Sequence, residues 1–295
     1  MDDITALRQG LAMGESLRAF ARDILAEALA AIDDPARSDA EAVHDFRRAM
    51  KRWRALLRLL GPFLGGDGRR LRDEARDLAR GLGGARDAQS ALDALADLEK
   101  HDGLGLSPRS LAAIRARLEA ARGAAETTLD AGMRPRLRSA LDRAGAAVDA
   151  WPVDGLAFED VADRLARGYR TARRAAPADW AGAASEELHE LRKRVVTHRY
   201  QMDLVAPLWR RFSRMWIGEC QRLRERLGQH QDLDLLAGLT APHQPLARWR
   251  SRLAPAIAER QAEHAAGAAR VAARLFVEKP KALRQKLAAM WSAGR

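Results

Sequence analysis

A block of six residues occurs twice in this chain. Val43-His44-Asp45-Phe46-Arg47-Arg48 returns as Leu188-His189-Glu190-Leu191-Arg192-Lys193, with His44 and His189 standing 145 residues apart. The same offset relates Gly10-Leu11 to Gly155-Leu156, Arg54 to Arg199, Pro62 to Pro207, Leu82-Gly83 to Leu227-Gly228, Asp87 to Asp232 and Pro135 to Pro280. Solenoid repeats recur every 20–50 residues or about that, so a period this long marks a duplicated domain. The 295 residues divide into copies at 1–150 and 151–295 that together form one unit. Each copy is long enough to bury a substantial core.

Each copy reads as helices punctuated by Gly, Pro and Asp. In the first, helices are expected near 4–32, 39–60, 68–97 and 107–130, with a shorter one after Pro135. The breaks fall at Asp33-Asp34-Pro35, Gly61-Pro62, Gly65-Gly66 and from His101 to Pro108. In the second they are expected near 156–176, 184–206, 212–239 and 246–275, with a tail helix from Pro280 and breaks at Ala176-Pro177, Ala206-Pro207 and Ala241-Pro242. Ala, Leu and Arg dominate and only 5% of residues are aromatic, a composition that favours helix over strand. No alternating strand pattern survives this reading. The expected fold is all-α, with four main helices per copy.

The helix carrying the first block has two distinct stripes. Val43, Phe46, Met50, Trp53, Leu57 and Leu60 share the face expected to enter the core. His44, Arg47, Lys51, Arg54 and Arg58 line the neighbouring stripe, with Arg48 just beside it. In the second copy the basic stripe is His189, Arg192, Lys193 and Arg199, with Val196 and Asp203 where Lys51 and Arg58 would be. Like charges three and four residues apart repel by a few tenths of a kcal/mol per pair. A basic helix face is ordinarily just a solvated one, the more so in a chain with 45 Arg and 6 Lys. Duplication argues for more, because two diverged copies still share a His, an Arg, an adjacent basic residue and a further Arg at one spacing.

Other arginines at helical spacing are candidates for the same groove: Arg18 and Arg22 in the first helix, Arg76 and Arg80 in the third, and Arg167, Arg170, Arg173, Arg174, Arg222 and Arg226 in the second copy. The formal net charge is +11, but it is uneven, with 25 basic and 24 acidic residues in 1–150 against 26 and 16 in 151–295. Net charge alone therefore does not locate the site; the clustered stripe does. Guanidinium forks suit phosphate oxygens and lysine adds a point charge. A row of them about 4–5 Å apart along a helix suits a ligand whose negative charge repeats. His44 and His189 gain protonated character as phosphates approach, or else are neutral rings hydrogen-bonded at the start of a helix.

Together these residues resemble the CHAD family, the conserved histidine α-helical domain. The resemblance rests on His44-Asp45-Phe46-Arg47-Arg48 with Lys51-Arg52 and Arg54, and on His189-Glu190-Leu191-Arg192-Lys193 with Arg199-Tyr200. Each is followed by Leu-Gly-x-x-x-Asp, at Leu82 to Asp87 and Leu227 to Asp232, and Tyr169-Arg170 with Arg173-Arg174 is similar to the start of that family's second half. It implies two four-helix bundles related by a pseudo-twofold, with a basic central groove or pore that binds inorganic polyphosphate. It also implies a stand-alone member associated with polyphosphate granules. Carried over position by position, the ligand residues would be His44, Arg47, Arg48, Lys51 and Arg54, then His189, Arg192, Lys193 and Arg199. Val196, Thr197 and His198 depart from the family's usual basic run. His198 falls on the apolar stripe and reads as a core or partner-contact residue.

Rival functions have less support. A phosphohydrolase or phospho-accepting role for His44-Asp45 meets the problem that adjacent helical residues point about 100° apart, and the copy carries Glu190 instead. There is no Gly-x-x-x-x-Gly-Lys loop and no Gly-x-Ser-x-Gly turn. No catalysis, cofactor or metal is expected, zinc through His44, His189 and His230 included. Weak, charge-driven binding of nucleic acid is expected, although no helix-turn-helix or stacking platform stands out. A lone Cys220, an acidic Met1-Asp2-Asp3 start and the lack of an apolar run of roughly 20 residues point to a cytoplasmic setting without membrane insertion. Trp151, at the join of the copies, is either an anchor or part of a hinge.

Overall fold

Ser38 starts the longest helix with a reciprocal cap. Its hydroxyl accepts from the Glu41 amide while the Glu41 carboxylate takes the Ser38 amide at 3.0 Å; the Ser38 hydroxyl, which lies 2.8 Å from that carboxylate and donates to it, and the Ser38 amide hold Glu41 below its ordinary pKa. Such local rules account for most of the chain. The computed structural model describes residues 7, 11–82, 86–100, 104–124, 129 and 132–293. The helices are α1 (Met13–Asp33), α2 (Asp39–Gly81), α3 (Arg86–Leu98), α4 (Pro108–Ala124), α5 (Met133–Asp149), α6 (Phe158–Arg174), α7 (Ser185–Met202), α8 (Arg210–Leu239), α9 (Arg250–Leu275) and α10 (Pro280–Ala293). No strand occurs among the described residues, so the all-α expectation holds. Gly10, Gly83 and the break over 101–103 lie outside the described residues, as do most of 1–10 and 125–131.

Four boundaries differ from expectation, the first being the start of α1 at Met13 where a helix from near residue 4 was expected. The helix expected to stop at Gly61-Pro62 continues through Pro62 and bends at Gly65, whose φ of 57° and ψ of −130° suit only a residue without a Cβ. The helix expected over 68–97 is two: α2 ends at Gly81 and α3 begins at Arg86. Glycines 81, 83 and 84 crowd this point, each weakening a helix by about 1 kcal/mol. The corresponding stretch of α8 has Gly228 flanked by Leu227 and Gln229 and runs on unbroken. Finally, α7 stops at Met202, and a 3-10 turn over Asp203–Trp209 carries Pro207 into α8.

The apolar interior forms two clusters, and neither follows the boundary at residue 150. The larger is built by α1, α2, α5, α6, α7 and α10 with the start of α8 and the end of α9. Phe46, Met50, Trp53, Leu57 and Leu60 of the α2 stripe are all buried in it. Trp53 stacks on Trp151, with ring centroids 5.7 Å apart and planes 14° from parallel, so Trp151 is a buried anchor. The smaller cluster joins α3 and α4 to the later part of α8 and the start of α9, through Leu92, Leu95, Ile114, Leu118, Leu233, Leu236, Leu253 and Ile257. Two bundles joined in one unit were expected. The apolar faces of both halves are shared, because α2 packs on α7 and α3 on α8.

The α2–α7 contact carries polar links. Gln201 donates to the Ala55 carbonyl at 3.1 Å, and Arg58 donates to the Thr197 hydroxyl at 2.9 Å. Buried Arg52 pairs with Glu27 and lies 3.9 Å from Asp203. Cys220 is buried, which pushes its thiol up to about 12 and makes it inert at neutral pH.

Candidate functional site

The basic stripe of α2 lies beside its buried stripe, and its members differ in surroundings. His44, Arg48 and Lys51 are exposed. Arg48 is 3.3 Å from Asp45 of its own helix, an ordinary surface pair. Arg47 is half-buried and donates to the Leu82 carbonyl at 2.9 Å, closing the end of α2 as well as adding charge. Arg54 and Arg58 are half-buried further along.

Arg54 is the unusual one. Among the described residues it forms no ion pair, and its Nε is buried without a hydrogen-bond partner. Burial lowers its pKa, and the nearby guanidiniums of Arg76, Arg72 and Arg80 lower it further, with Asp73 opposing. Arg58 is lowered in the same way, by burial and then by Arg54, Arg72 and Arg194, against Glu190. Arginine does not give up its proton in proteins, so these unfavourable fields are a cost carried by the folded state. The bend at Gly65 matters here, because it returns the second arm of α2 alongside the first and sets Arg72, Arg76 and Arg80 against Arg54. Arg76 and Arg80 are partly neutralised by Asp73 and Asp77 at 3.2–3.8 Å. Positive charge still exceeds negative around Arg54.

The second basic surface is a pocket of about 630 Å³ between α7, α8 and α9. Six arginines line it (Arg192, Arg222, Arg224, Arg226, Arg270 and Arg274) against the carboxylates of Glu225 and Asp232. Arg192 donates to the Gln231 side chain at 3.1 Å, and the His189 ring meets the same amide oxygen. Arg222 and Arg274 share Glu219, Arg274 at 3.1 Å. Gly228 keeps α8 bare where the Arg192 guanidinium crosses it: a Cβ there would lie 3.4 Å from Nε.

The remaining candidates are scattered. Lys193 and Arg194 both pair with Glu190 at 2.6 Å. Arg199 stacks over Tyr200 at 4.1 Å and has a buried Nε without a partner. Its charge acts on Asp203, which burial pushes up to about 6 against the pull of Arg199 and Arg52. Arg199 thus faces the interior polar contacts and does not line the pocket. Arg22 is engaged by Asp149 at 2.5 Å, and Arg173 donates to the Phe276 carbonyl at 2.8 Å. Arg170 is exposed on α6. His198 is buried, its ring accepting from the Trp216 indole at 3.1 Å, and burial holds its pKa down at about 4.

The structure therefore gathers Arg54, Arg58, Arg76 and Arg80 at one place and Arg192 and Arg222 at another. Sequence reasoning missed Arg72, Arg194, Arg224, Arg270 and Arg274 as site residues. The helical spacing of Arg270 and Arg274 was a usable signal, but nothing local says that α9 turns them toward Arg192. Among the described residues, no three His, Cys, Asp or Glu side chains gather to hold a metal ion. No described helix is long and apolar enough to cross a membrane.

Comparison with known proteins adds family and fold. The model of the CHAD domain matches residues 15–241. A crystal structure of the CHAD domain from the plant Ricinus communis superposes with a TM-score of 0.60 at 22% identity, covering 97% of this chain and 95% of that one. No curated protein matches the chain.

Proposed function

Because the chain belongs to the CHAD domain family, we propose that it is a non-catalytic module that binds inorganic polyphosphate, working in the cytoplasm at polyphosphate granules. The observation that carries this reading is the Arg54 cluster. A half-buried guanidinium with an unsatisfied Nε and no ion pair among the described residues, set among three other arginines, is unfavourable in the free protein. It becomes favourable when an anion supplies the missing counter-charge. The pocket at Arg192 and Arg222 supports the same class of ligand, since its arginines outnumber its carboxylates six to two.

Capture is multidentate. Each phosphate unit of the chain is held by one or two guanidinium forks, and affinity grows because many units engage one molecule at once. His44, Arg47, Arg48, Lys51 and Arg54 form the first contact set. His189, Arg192, Lys193 and Arg222 form the second, with Arg58, Arg76, Arg80 and Arg170 contributing at the margins; Arg199 faces the interior, and Arg22 and Arg173 are held by Asp149 and the Phe276 carbonyl. We place the two sets about a pseudo-twofold that passes where α2 meets α7 and α3 meets α8. Its support is that α1 and α6 start at Met13 and Phe158, 145 residues apart, and that α1 packs on α5 as α6 packs on α10.

Competition between labelled long-chain polyphosphate and duplex DNA at fixed salt tests the reading. Salt dependence alone does not discriminate, because both polyanions release counterions. Displacement of polyphosphate by equal phosphate concentrations of DNA would reduce the site to a generic basic surface.

A further inference from the structure

Arg226 stands where the pocket meets a buried polar chain. Its Nη1 lies 3.4 Å from Nδ1 of His264, whose Nε2 lies 2.6 Å from Asp97 Oδ2. Asp97 also accepts from Arg260 Nε at 2.9 Å and Nη2 at 2.7 Å. A guanidinium only donates, so Arg226 makes Nδ1 of His264 the acceptor and leaves Nε2 as the protonated nitrogen facing the carboxylate. The ring is completely buried on α9 and Asp97 comes from α3; neither lines the pocket. Burial pushes the Asp97 carboxyl up, but Arg260 and His264 outweigh it and hold it at about 2. The chain is therefore charged and complete at neutral pH.

One turn along α9, Gly267 faces the same arginine. A Cβ at this position would lie 3.2 Å from Arg226 Nε and 3.3 Å from its Cδ. Glycine inside a helix is destabilising relative to alanine, so a bare backbone under the Arg226 side chain serves the arginine more than the helix. Asp97, His264 and Gly267, on two helices, converge on one guanidinium that opens to the pocket.

Resting on the polyanion reading, we propose that Asp97 and His264 are positioning residues of this pocket. Asp97 fixes the His264 tautomer, and His264 with Gly267 holds the Arg226 guanidinium flat on α9, so that its free N–H donors meet a phosphate oxygen without first being ordered. Preorganisation of this kind strengthens binding by removing the entropy that a loose arginine loses. None of these residues belongs to the repeated blocks, and Gly267 and His264 lie beyond the residues that the family model matches.

Calorimetric titration with tripolyphosphate at neutral pH tests the proposal. Arg226→Ala is expected to weaken binding about tenfold, the size of one charge-assisted hydrogen bond. His264→Phe should lose the same amount, and the double variant no more than either alone, because His264 acts through Arg226. His264→Asn, whose short amide reaches the place of Nδ1, should restore most of the loss. Gly267→Ala should bind less well while melting no lower, which separates positioning from folding even if His264→Phe does not fold. Additive losses in the double variant, or an Arg226→Ala protein that binds as tightly as wild type, would overturn the positioning role and leave the polyanion reading standing. Failure of the unmodified protein to bind either tripolyphosphate or long polyphosphate would overturn both.

Discussion

Replacing Arg54 with methionine should make the unliganded protein more stable and the liganded one less so. The stem of the side chain keeps its packing, while the charge is lost. Arg54 faces Arg72, Arg76 and Arg80 across the bend of α2 and Arg58 on its own helix, with Asp73 as the opposing charge. Four repulsions of a few tenths of a kcal/mol each, less one attraction of the same size, leave a gain of about 1 kcal/mol. For a chain of this length that raises the melting temperature by about 2 °C. Loss of one guanidinium–phosphate contact should weaken polyphosphate binding about tenfold, so the melting shift produced by saturating ligand falls correspondingly. Thermal melts of wild type and Arg54→Met with and without long-chain polyphosphate read both effects. A variant that melts lower without ligand and binds as tightly as wild type would refute the reasoning, because Arg54 would then be a structural residue.

Other perturbations separate binding from folding. Adding Arg47→Ala to Arg54→Ala removes the donor to the Leu82 carbonyl, costing about 1 kcal/mol; chemical denaturation should remain a single cooperative transition while calorimetry records strongly weakened binding. Trp151→Ala deletes the ring stacked on Trp53 and should cost about 3–5 kcal/mol in the same denaturation assay. His198 is held at about 4 by burial against an ordinary 6.5, so the unfolded chain binds more protons between these values and stability rises with pH across them. That contribution is complete above pH 6.5 and is lost as pH falls toward 4. Asp203, pushed up to about 6, works in the opposite direction, so the check is a comparison of wild type with His198→Gln, which should show a flatter loss in acid.

Most of the helical plan was legible because it rests on local rules. The apolar stripe from Phe46 to Leu60 and the prolines at the helix ends each report on a few neighbouring residues. Boundaries went astray where several weak signals competed. Pro62 was tolerated inside α2, so the turn fell to the expected break at Gly65-Gly66 alone, and a helix that looked continuous across Leu82 ends at Gly81. The division of the interior was hidden for a different reason: whether α2 buries its apolar face against its own half or against α7 is a tertiary choice that no periodicity encodes. The site was legible to the same depth. Arg54, Arg58, Arg76 and Arg80 could be named from helical spacing, but their convergence depends on the bend at Gly65. Arg22 and Arg173 showed the same spacing and are engaged by Asp149 and the Phe276 carbonyl. Arg270 and Arg274 enter the pocket only because α9 packs along α8.

The central claim is that clustered arginines read a repeating phosphate chain, and calorimetric titration with long-chain polyphosphate at moderate salt tests it most directly, with duplex DNA and tripolyphosphate run in parallel. Tight binding of the long chain, with much weaker binding of tripolyphosphate and DNA at equal phosphate concentration, is the predicted result. Equal affinity for all three would contradict it and leave only a basic surface.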